Sequence, residues 1–142
     1  MPITISLYNH TARRFADGSN SPTDTYKIKL FTAAAFSASD TTEAAAGGTE
    51  VANGSGYTTG GATLSNISVT TVSTNDAKFD ADDVVWAVTG SNLSAAYARI
   101  YNDTDANDPP LAFIDFGGTE TRTPGNEFLL SWNASGIITW TV

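Results

Sequence analysis

The chain has 142 residues, with 7 basic and 15 acidic side chains, a net charge of −8 and no cysteine. This length suits one domain with a sizeable core, and the lack of cysteine excludes disulfides, thiolate metal sites and a cysteine nucleophile. The negative charge disfavours nucleic-acid binding, which needs Lys and Arg against phosphates. The sequence shows neither a signal peptide nor an apolar run of membrane-spanning length, so we expect no membrane partner and assembly in a cytoplasm.

The first third of the chain predicts two strands and two short helices. The segments Ile3-Thr-Ile-Ser-Leu-Tyr8 and Tyr26-Lys-Ile-Lys-Leu-Phe31 alternate apolar with polar or basic side chains, as half-buried strands do. Asn9 is placed to cap a helix over residues 11–16 that ends at Asp17-Gly18. The spacing of Asp40-Thr-Thr-Glu43 is that of a capping box, which predicts a helix over residues 41–46.

Strand patterns dominate after a glycine-rich stretch at residues 50–61. The predicted strands are residues 64–72, 77–80, 84–88, 96–101, 111–116, 127–132 and 136–142. The nearly all-apolar run at 84–88 suggests burial on both faces. The turn Asn133-Ala-Ser-Gly136 joins the last two strands as a hairpin. The whole pattern predicts one all-β domain over residues 1–142: a mainly antiparallel β-sandwich or jelly-roll-like fold of about eight strands, with one or two short helices.

No motif of the sequence predicts catalysis. His10 is the only histidine, and no nucleophile elbow, metalloprotease helix or phosphate-binding loop is present. The acidic loops Asp80–Asp83 and Asp103–Asp108 lack the spacing of a calcium loop, so turn formation is favoured and calcium binding is left open. We therefore assign no catalytic, cofactor-binding or metal-binding residue and expect a protein that is not an enzyme.

The three tryptophans allow two interpretations. Trp86, Trp132 and Trp140 could together form a platform for sugar rings. Trp86 and Trp132 stand in apolar strands, where core packing is the more frequent role of an aromatic side chain. The exposure of Trp140, which alternates with threonines near the C-terminus, is left open.

Seven short segments, spread over nearly the whole chain, carry a resemblance to a known family. They are Leu7-Tyr-Asn9, Tyr26-Lys-Ile-Lys-Leu30, Gly56-Tyr-Thr-Thr-Gly-Gly-Ala-Thr-Leu64, Phe79-Asp-Ala-Asp-Asp-Val-Val-Trp86, Ala96-Tyr-Ala-Arg-Ile-Tyr101, Leu111 to Gly118, and Phe128-Leu-Leu-Ser-Trp132 with Asn133-Ala-Ser-Gly-Ile137. In this order they resemble a family of small virion-associated proteins encoded in tailed bacteriophages and prophages.

The resemblance implies a β-rich structural protein of the virion and brings no catalytic residue. The expected role is that of a capsid cement, or decoration, protein on the exterior of the capsid, bound to the shell of the major capsid protein and assembled in the host cytoplasm. A homotrimer is expected by analogy with the local threefold axes of a shell. The alternatives are a low-copy tail, neck or fibre-associated component, or a carbohydrate-binding module for attachment.

The resemblance also suggests structural roles for single residues. Gly56 and Gly60-Gly61 permit tight turns, and Asp82-Asp83 can hold the turn before the strand at 84–88. A further hypothesis pairs Arg99 with a carboxylate such as Asp115 across neighbouring strands.

A contact surface for the shell or for other copies is expected to be apolar at its centre with a polar rim. The candidates are the N-terminal segment 1–7 and the alanine-rich segment 31–36; ordinary packing inside the sandwich is the competing interpretation. The candidate interface residues are Ile3, Ile5, Leu7, Phe31 and Phe36.

Overall fold

The computed structural model describes residues 3–72 and 75–141, and most of this part of the chain is β-strand. Met1, Pro2 and Val142, which the sequence placed in the terminal strands or interface segment, lie outside the described residues. Within the described ranges there are eleven strands and two short helices. They are β1 (Thr4–Leu7), α1 (Thr11–Ala16), β2 (Tyr26–Ala33), α2 (Glu43–Ala46), β3 (Thr49–Glu50), β4 (Ala62–Thr63), β5 (Ser68–Thr71), β6 (Ala77–Asp80), β7 (Val84–Ala87), β8 (Leu93–Asn102), β9 (Pro110–Arg122), β10 (Glu127–Leu130) and β11 (Ile138–Trp140).

The strands form three antiparallel sheets. The largest has the order β1-β9-β8-β2-β3, and β4 also pairs with β2. A second sheet has the order β11-β6-β5, and a third consists of β10 and β7. The predicted all-β, sandwich-like class is confirmed. The strand count exceeds eight partly because β3 and β4 are two-residue segments at the two ends of the glycine-rich stretch. Segments this short show no alternation of apolar and polar side chains.

The main core lies between the large sheet and the two smaller ones. Tyr26, Ile28 and Leu30 of β2 are fully buried, as their alternation with lysines predicts. The ring of Tyr26 lies 5.2 Å from that of Phe79 in β6. The ring of Phe116 in β9 lies 6.0 Å from that of Phe128 in β10. One face of the large sheet therefore contacts both smaller sheets.

The opposite face of the large sheet is covered by the connection between β2 and β3, which contains α2. Phe36 of this connection lies over β9, with its ring 5.7 Å from that of Phe113. Beside it, Arg99 of β8 is buried although its side chain points away from the main core. The central strand β8 is thus enclosed on both faces, which explains why its residues are almost continuously buried.

Both helices have different caps from those predicted. Helix α1 spans the expected residues, but His10, without a side-chain capping bond, stands at the N-cap position that we assigned to Asn9. Helix α2 begins two residues later than predicted, and the Thr42 hydroxyl accepts the bond from the amide of Ala45. The predicted capping box is wrong because the Glu43 carboxylate bonds to Arg99 instead. No helix within the described ranges is long and apolar enough to cross a bilayer.

The predicted C-terminal hairpin is wrong. Strand β10 pairs with β7 and strand β11 pairs with β6, so the two strands belong to different sheets. The turn itself forms, with the amide of Gly136 donating to the carbonyl of Asn133 at 2.8 Å. The turn directs the chain away from β10, whose end is held by the Asp83 carboxylate. After the turn, the amide of Ile137 donates to the carbonyl of Phe79 in β6.

Candidate functional site

An exposed apolar strip runs along the edge strand β1. The strand pairs with β9 on one side, and no strand of the described residues pairs with its other side. Ile3, Ile5 and Leu7, the β1 strip, are 38%, 36% and 36% exposed. Ile5 is directly opposite the buried Ile114, and residues opposite each other in a sheet share a face. The β1 strip is therefore the solvent-exposed edge of the main core.

A recess of about 310 Å³ lies beside the β1 strip. Its lining consists of Ile3, Ile5, Ser131, Trp132 and Asn133. The indole of Trp132 is fixed because its Nε1 donates to the carbonyl of Asp82 at 3.0 Å. The recess thus combines the exposed edge of β1 with a positioned aromatic ring.

The carboxylate of Asp83 fixes the backbone next to this recess. It accepts bonds from the amide of Trp132 and the hydroxyl of Ser131, both at 2.8 Å. These two bonds lower the pKa of Asp83 below its usual value. Asp83 therefore ties the start of β7 to the end of β10, and its carboxylate bonds do not lie within the turn before β7 that it was predicted to hold.

The two phenylalanines of the candidate interface lie in different environments. Phe36 is 37% exposed and packs against Tyr8, with 5.0 Å between the ring centroids. Phe31 is only 3% exposed, and the Arg99 guanidinium lies 4.4 Å from its ring centroid. Phe31 therefore belongs to the packing beneath the β2–β3 connection, whereas the other four candidates reach the surface.

A buried ion pair joins that connection to the sheet. Arg99 donates through Nε and Nη2 to the two carboxylate oxygens of Glu43, and also to the carbonyl of Gly47 at 2.6 Å. The Lys29 ammonium lies 3.2 Å from the same carboxylate. Arg99 therefore pairs with a carboxylate as expected, but the suggested partner Asp115 is wrong: the partner is Glu43, and Asp115 accepts the amide of its neighbour Gly117.

The electrostatics of Arg99 favour a permanently charged side chain. Burial alone would lower its pKa, but the hydrogen bonds and charge of Glu43 outweigh burial and raise the pKa above its usual value. Burial also raises the pKa of the neighbouring Tyr8 hydroxyl to about 12. Both groups keep their ordinary protonation at neutral pH, and the cluster ties the β2–β3 connection to the sheet.

His10 and the acidic loops are bonded within the chain. The Nε2 of His10 lies 2.8 Å from the Pro110 carbonyl. In the second acidic loop, Asp105 pairs with Arg14 at 2.8 Å and Asp103 with Lys27 at 3.1 Å. In residues 3–72 and 75–141, no group of three or more acidic or histidine side chains is arranged to hold a metal ion.

The tryptophans lie in three separate places. Trp86 is buried in the core, with its ring 6.1 Å from that of Phe128. Trp132 lines the recess beside β1. Trp140 lines an apolar recess of about 390 Å³ with Phe15 and Val69, and no lining residue belongs to both recesses. The core prediction is confirmed for Trp86, and Trp132 and Trp140 are half-buried.

Sequence reasoning missed a second exposed apolar surface on the β7–β10 sheet. Val85 and Leu129 are directly opposite each other and are 48% and 52% exposed. The apolar run at 84–88 suggested burial on both faces, but β7 belongs to a two-stranded sheet with one face in solvent. Its side chains therefore alternate between buried and exposed.

No protein-family model, no curated protein and no solved structure matches this chain. Its function is therefore argued from its own residues and contacts.

Proposed function

We propose that the chain is a non-enzymatic structural subunit of a tailed-phage particle, a capsid cement protein that binds the outer surface of the major capsid protein shell. The observation that carries the proposal is the placement of exposed apolar side chains on a β domain with an otherwise acidic surface. Besides the β1 strip at the edge of the main-core face, they form two small surfaces: Phe36, which lies over β9 on the opposite face of the large sheet, and the Val85–Leu129 pair. A shell-binding oligomer needs contacts to the shell and contacts between copies.

The segments that resemble the phage family have structural roles in this fold, which supports the proposal. Gly56 and Gly61 have positive φ, and a Cβ at either would collide with a backbone carbonyl, so both permit close chain approaches. Trp86 fills the core, and Asp83 ties two strands together. Such residues hold a rigid module together, as a capsid-binding subunit requires.

The charge distribution agrees with this role. Residues 1–9 carry no charged side chain, whereas the whole chain has a net charge of −8. Interface centres are depleted in charge, and the acidic remainder keeps free subunits soluble before they bind. We further propose a closed homo-oligomer, with the trimer expected from shell symmetry.

The experiment mixes the purified protein with empty shells of the major capsid protein from the same phage genome. Cosedimentation measures binding, and release of packaged or encapsulated content on heating measures shell stability. The expected result is saturable binding at a ratio set by shell symmetry and a higher temperature of release. Shells that neither bind the protein nor gain stability would contradict the proposal.

Two variants locate the shell contact. Phe36→Lys and Leu129→Lys each place a charge on one of the two exposed apolar surfaces, and circular dichroism checks that each variant is folded. We expect one of them to weaken shell binding at least about tenfold, because a buried unpaired charge is costly at an interface centre. If both variants bind like the wild type, the shell contact lies elsewhere.

A further inference from the structure

We propose that β1 pairs with β1 of a second copy of this chain, antiparallel and centred on Ile5, so that one sheet continues through both copies. This pairing is a property of the free protein and does not rest on the proposed role in a capsid. It closes at two copies, so the contacts within the proposed trimer on a shell would use another surface.

The backbone of β1 has hydrogen-bonding groups free for such a pairing. The amide of Tyr8 donates to the Leu111 carbonyl of β9. Peptide groups alternate sides along an antiparallel strand, so those of Ile5 and Leu7 point towards the other edge. No strand of the described residues pairs there. A second copy of β1 supplies complementary donors and acceptors.

The sequence of β1 is self-complementary about Ile5. In an antiparallel pair centred there, Ile5 lies opposite itself and Ile3 lies opposite Leu7. Thr4 lies opposite Ser6 on the other face. Apolar side chains then meet on one face and hydroxyls meet on the other, which are favourable cross-strand pairs. A shift by one residue would place apolar opposite polar side chains.

The edge of β1 lacks the features that prevent pairing between copies. Exposed edge strands usually carry charges, prolines or bulges. Residues 3–9 contain no charge and no proline, and the register with β9 is unbroken from Thr4 to Leu7.

The nearest acidic side chain in the sheet is Asp115 of β9, opposite Thr4. In the paired sheet the two copies of Asp115 would be about 16 Å apart, three strand spacings across the sheet and two residues along it, and salt screens charges over about 8 Å. The net charge of the chain therefore opposes this contact only weakly.

The recess beside the strip provides additional contact. Leu7 of the second copy would lie next to Ile3, at the rim of the recess that Ile3, Ile5 and Trp132 line. Its side chain would cover apolar surface that is otherwise exposed. The pairing thus joins backbone hydrogen bonds to apolar burial, the combination used when an extended segment extends a sheet.

Sedimentation equilibrium over a concentration series to about 1 mM tests the proposal, since small interfaces are weak. The expected result is a reversible dimer of the 14.9 kDa chain. Ile5→Lys should raise the dissociation constant at least about 30-fold, because it removes two apolar side chains and places like charges opposite each other. The matched control Val72→Lys, at an exposed apolar side chain outside the proposed contact surfaces, should change it less than about threefold.

Charge reversal provides a second measurement. Ile5→Lys and Ile5→Glu alone should both be monomeric, and mixing them should restore a heterodimer because opposite charges then face each other. A wild-type chain that is monomeric throughout, or an oligomer unaffected by Ile5→Lys, would overturn the proposal. A mixture that stays monomeric while the wild type dimerises would overturn the centring on Ile5.

A cysteine variant keeps the test valid if a charge at position 5 prevents folding. The chain has no cysteine, so Ile5→Cys introduces a single thiol. In the proposed pair the two Ile5 residues exchange both backbone bonds, which sets their Cα atoms about 5.5 Å apart, within disulfide range. Mild oxidation should crosslink this variant and leave the control Val72→Cys, at an exposed position outside the proposed contact surfaces, uncrosslinked. Equal crosslinking of the two variants would contradict the pairing.

Discussion

Removing the carboxylate of Glu43 should destabilise the protein strongly. Arg99 is only 1% exposed, so in Glu43→Ala its guanidinium cannot recover water and loses both bonds to the carboxylate. It keeps the bond to the carbonyl of Gly47 and the contact with the Phe31 ring. The β2–β3 connection would also lose its ionic link to the sheet.

The expected loss follows from the general cost of leaving a buried charge unpaired. Breaking a buried ion pair lowers the unfolding free energy by about 3–5 kcal/mol. Because Arg99 keeps two other contacts, we expect Glu43→Ala to cost about 3 kcal/mol. The double variant Glu43→Leu/Arg99→Met removes both charges and fills the space with apolar groups. The unfolding free energy of the double variant should lie within about 1–2 kcal/mol of the wild-type value. The effects of the two single substitutions are therefore far from additive.

Urea unfolding followed by circular dichroism measures these differences in free energy. The surface pair of Arg122 and Glu120 provides the control, because both side chains are partly exposed and Glu120→Ala should cost less than about 1 kcal/mol. The reasoning is refuted if Glu43→Ala costs under about 1 kcal/mol, or if the double variant loses the sum of the two single losses.

Three further predictions use the same unfolding assay. Gly61→Ala should lower the unfolding free energy by more than about 3 kcal/mol and Gly60→Ala by about 1–2 kcal/mol. Both glycines have positive φ, but only a Cβ at position 61 would collide with the Ile28 carbonyl, so equal losses would contradict this prediction. Asp83→Ala should cost about 1 kcal/mol at pH 7. Folding lowers the pKa of Asp83, so its stabilising contribution is present above the usual pKa of an aspartate and is lost as the pH falls through the lowered pKa of the folded state. The difference in unfolding free energy between Asp83→Ala and the wild type should therefore shrink as the pH is lowered into the acid range. Tyr57→Phe should cost about 1–3 kcal/mol, since it leaves a buried β2 amide without its acceptor, and a neutral effect would contradict that bond.

The fold class was predictable because the alternation of apolar and polar side chains within a long strand shows which face of that strand is buried. The alternation of Tyr26, Ile28 and Leu30 with lysines identifies the buried face of β2, and the structure buries those three residues. Helix α1 was also found over its observed residues, since its stop signal at Asp17-Gly18 is local.

The pairing of distant segments was not predictable from local patterns. The turn at residues 133–136 has the composition of a hairpin, but bonds from Asp83 and Phe79 separate its two flanking strands. Arg99 and Glu43 are 56 residues apart, and neither neighbourhood indicates the other. Such contacts depend on how the β2–β3 connection folds over the sheet.

The candidate surface was predicted in part. The β1 strip and Phe36 are exposed, whereas Phe31 is buried because the β2–β3 connection covers it. The Val85–Leu129 surface was missed because an apolar run does not reveal that its sheet has only two strands.

The most direct test of the proposed function is the number of copies of this protein per virion, measured by quantitative mass spectrometry of virus particles purified from cells that carry its gene. The cement role predicts a number comparable to that of the major capsid protein. A handful of copies per particle would contradict it and favour a tail or neck component, and absence from the particle would contradict a structural role in the virion.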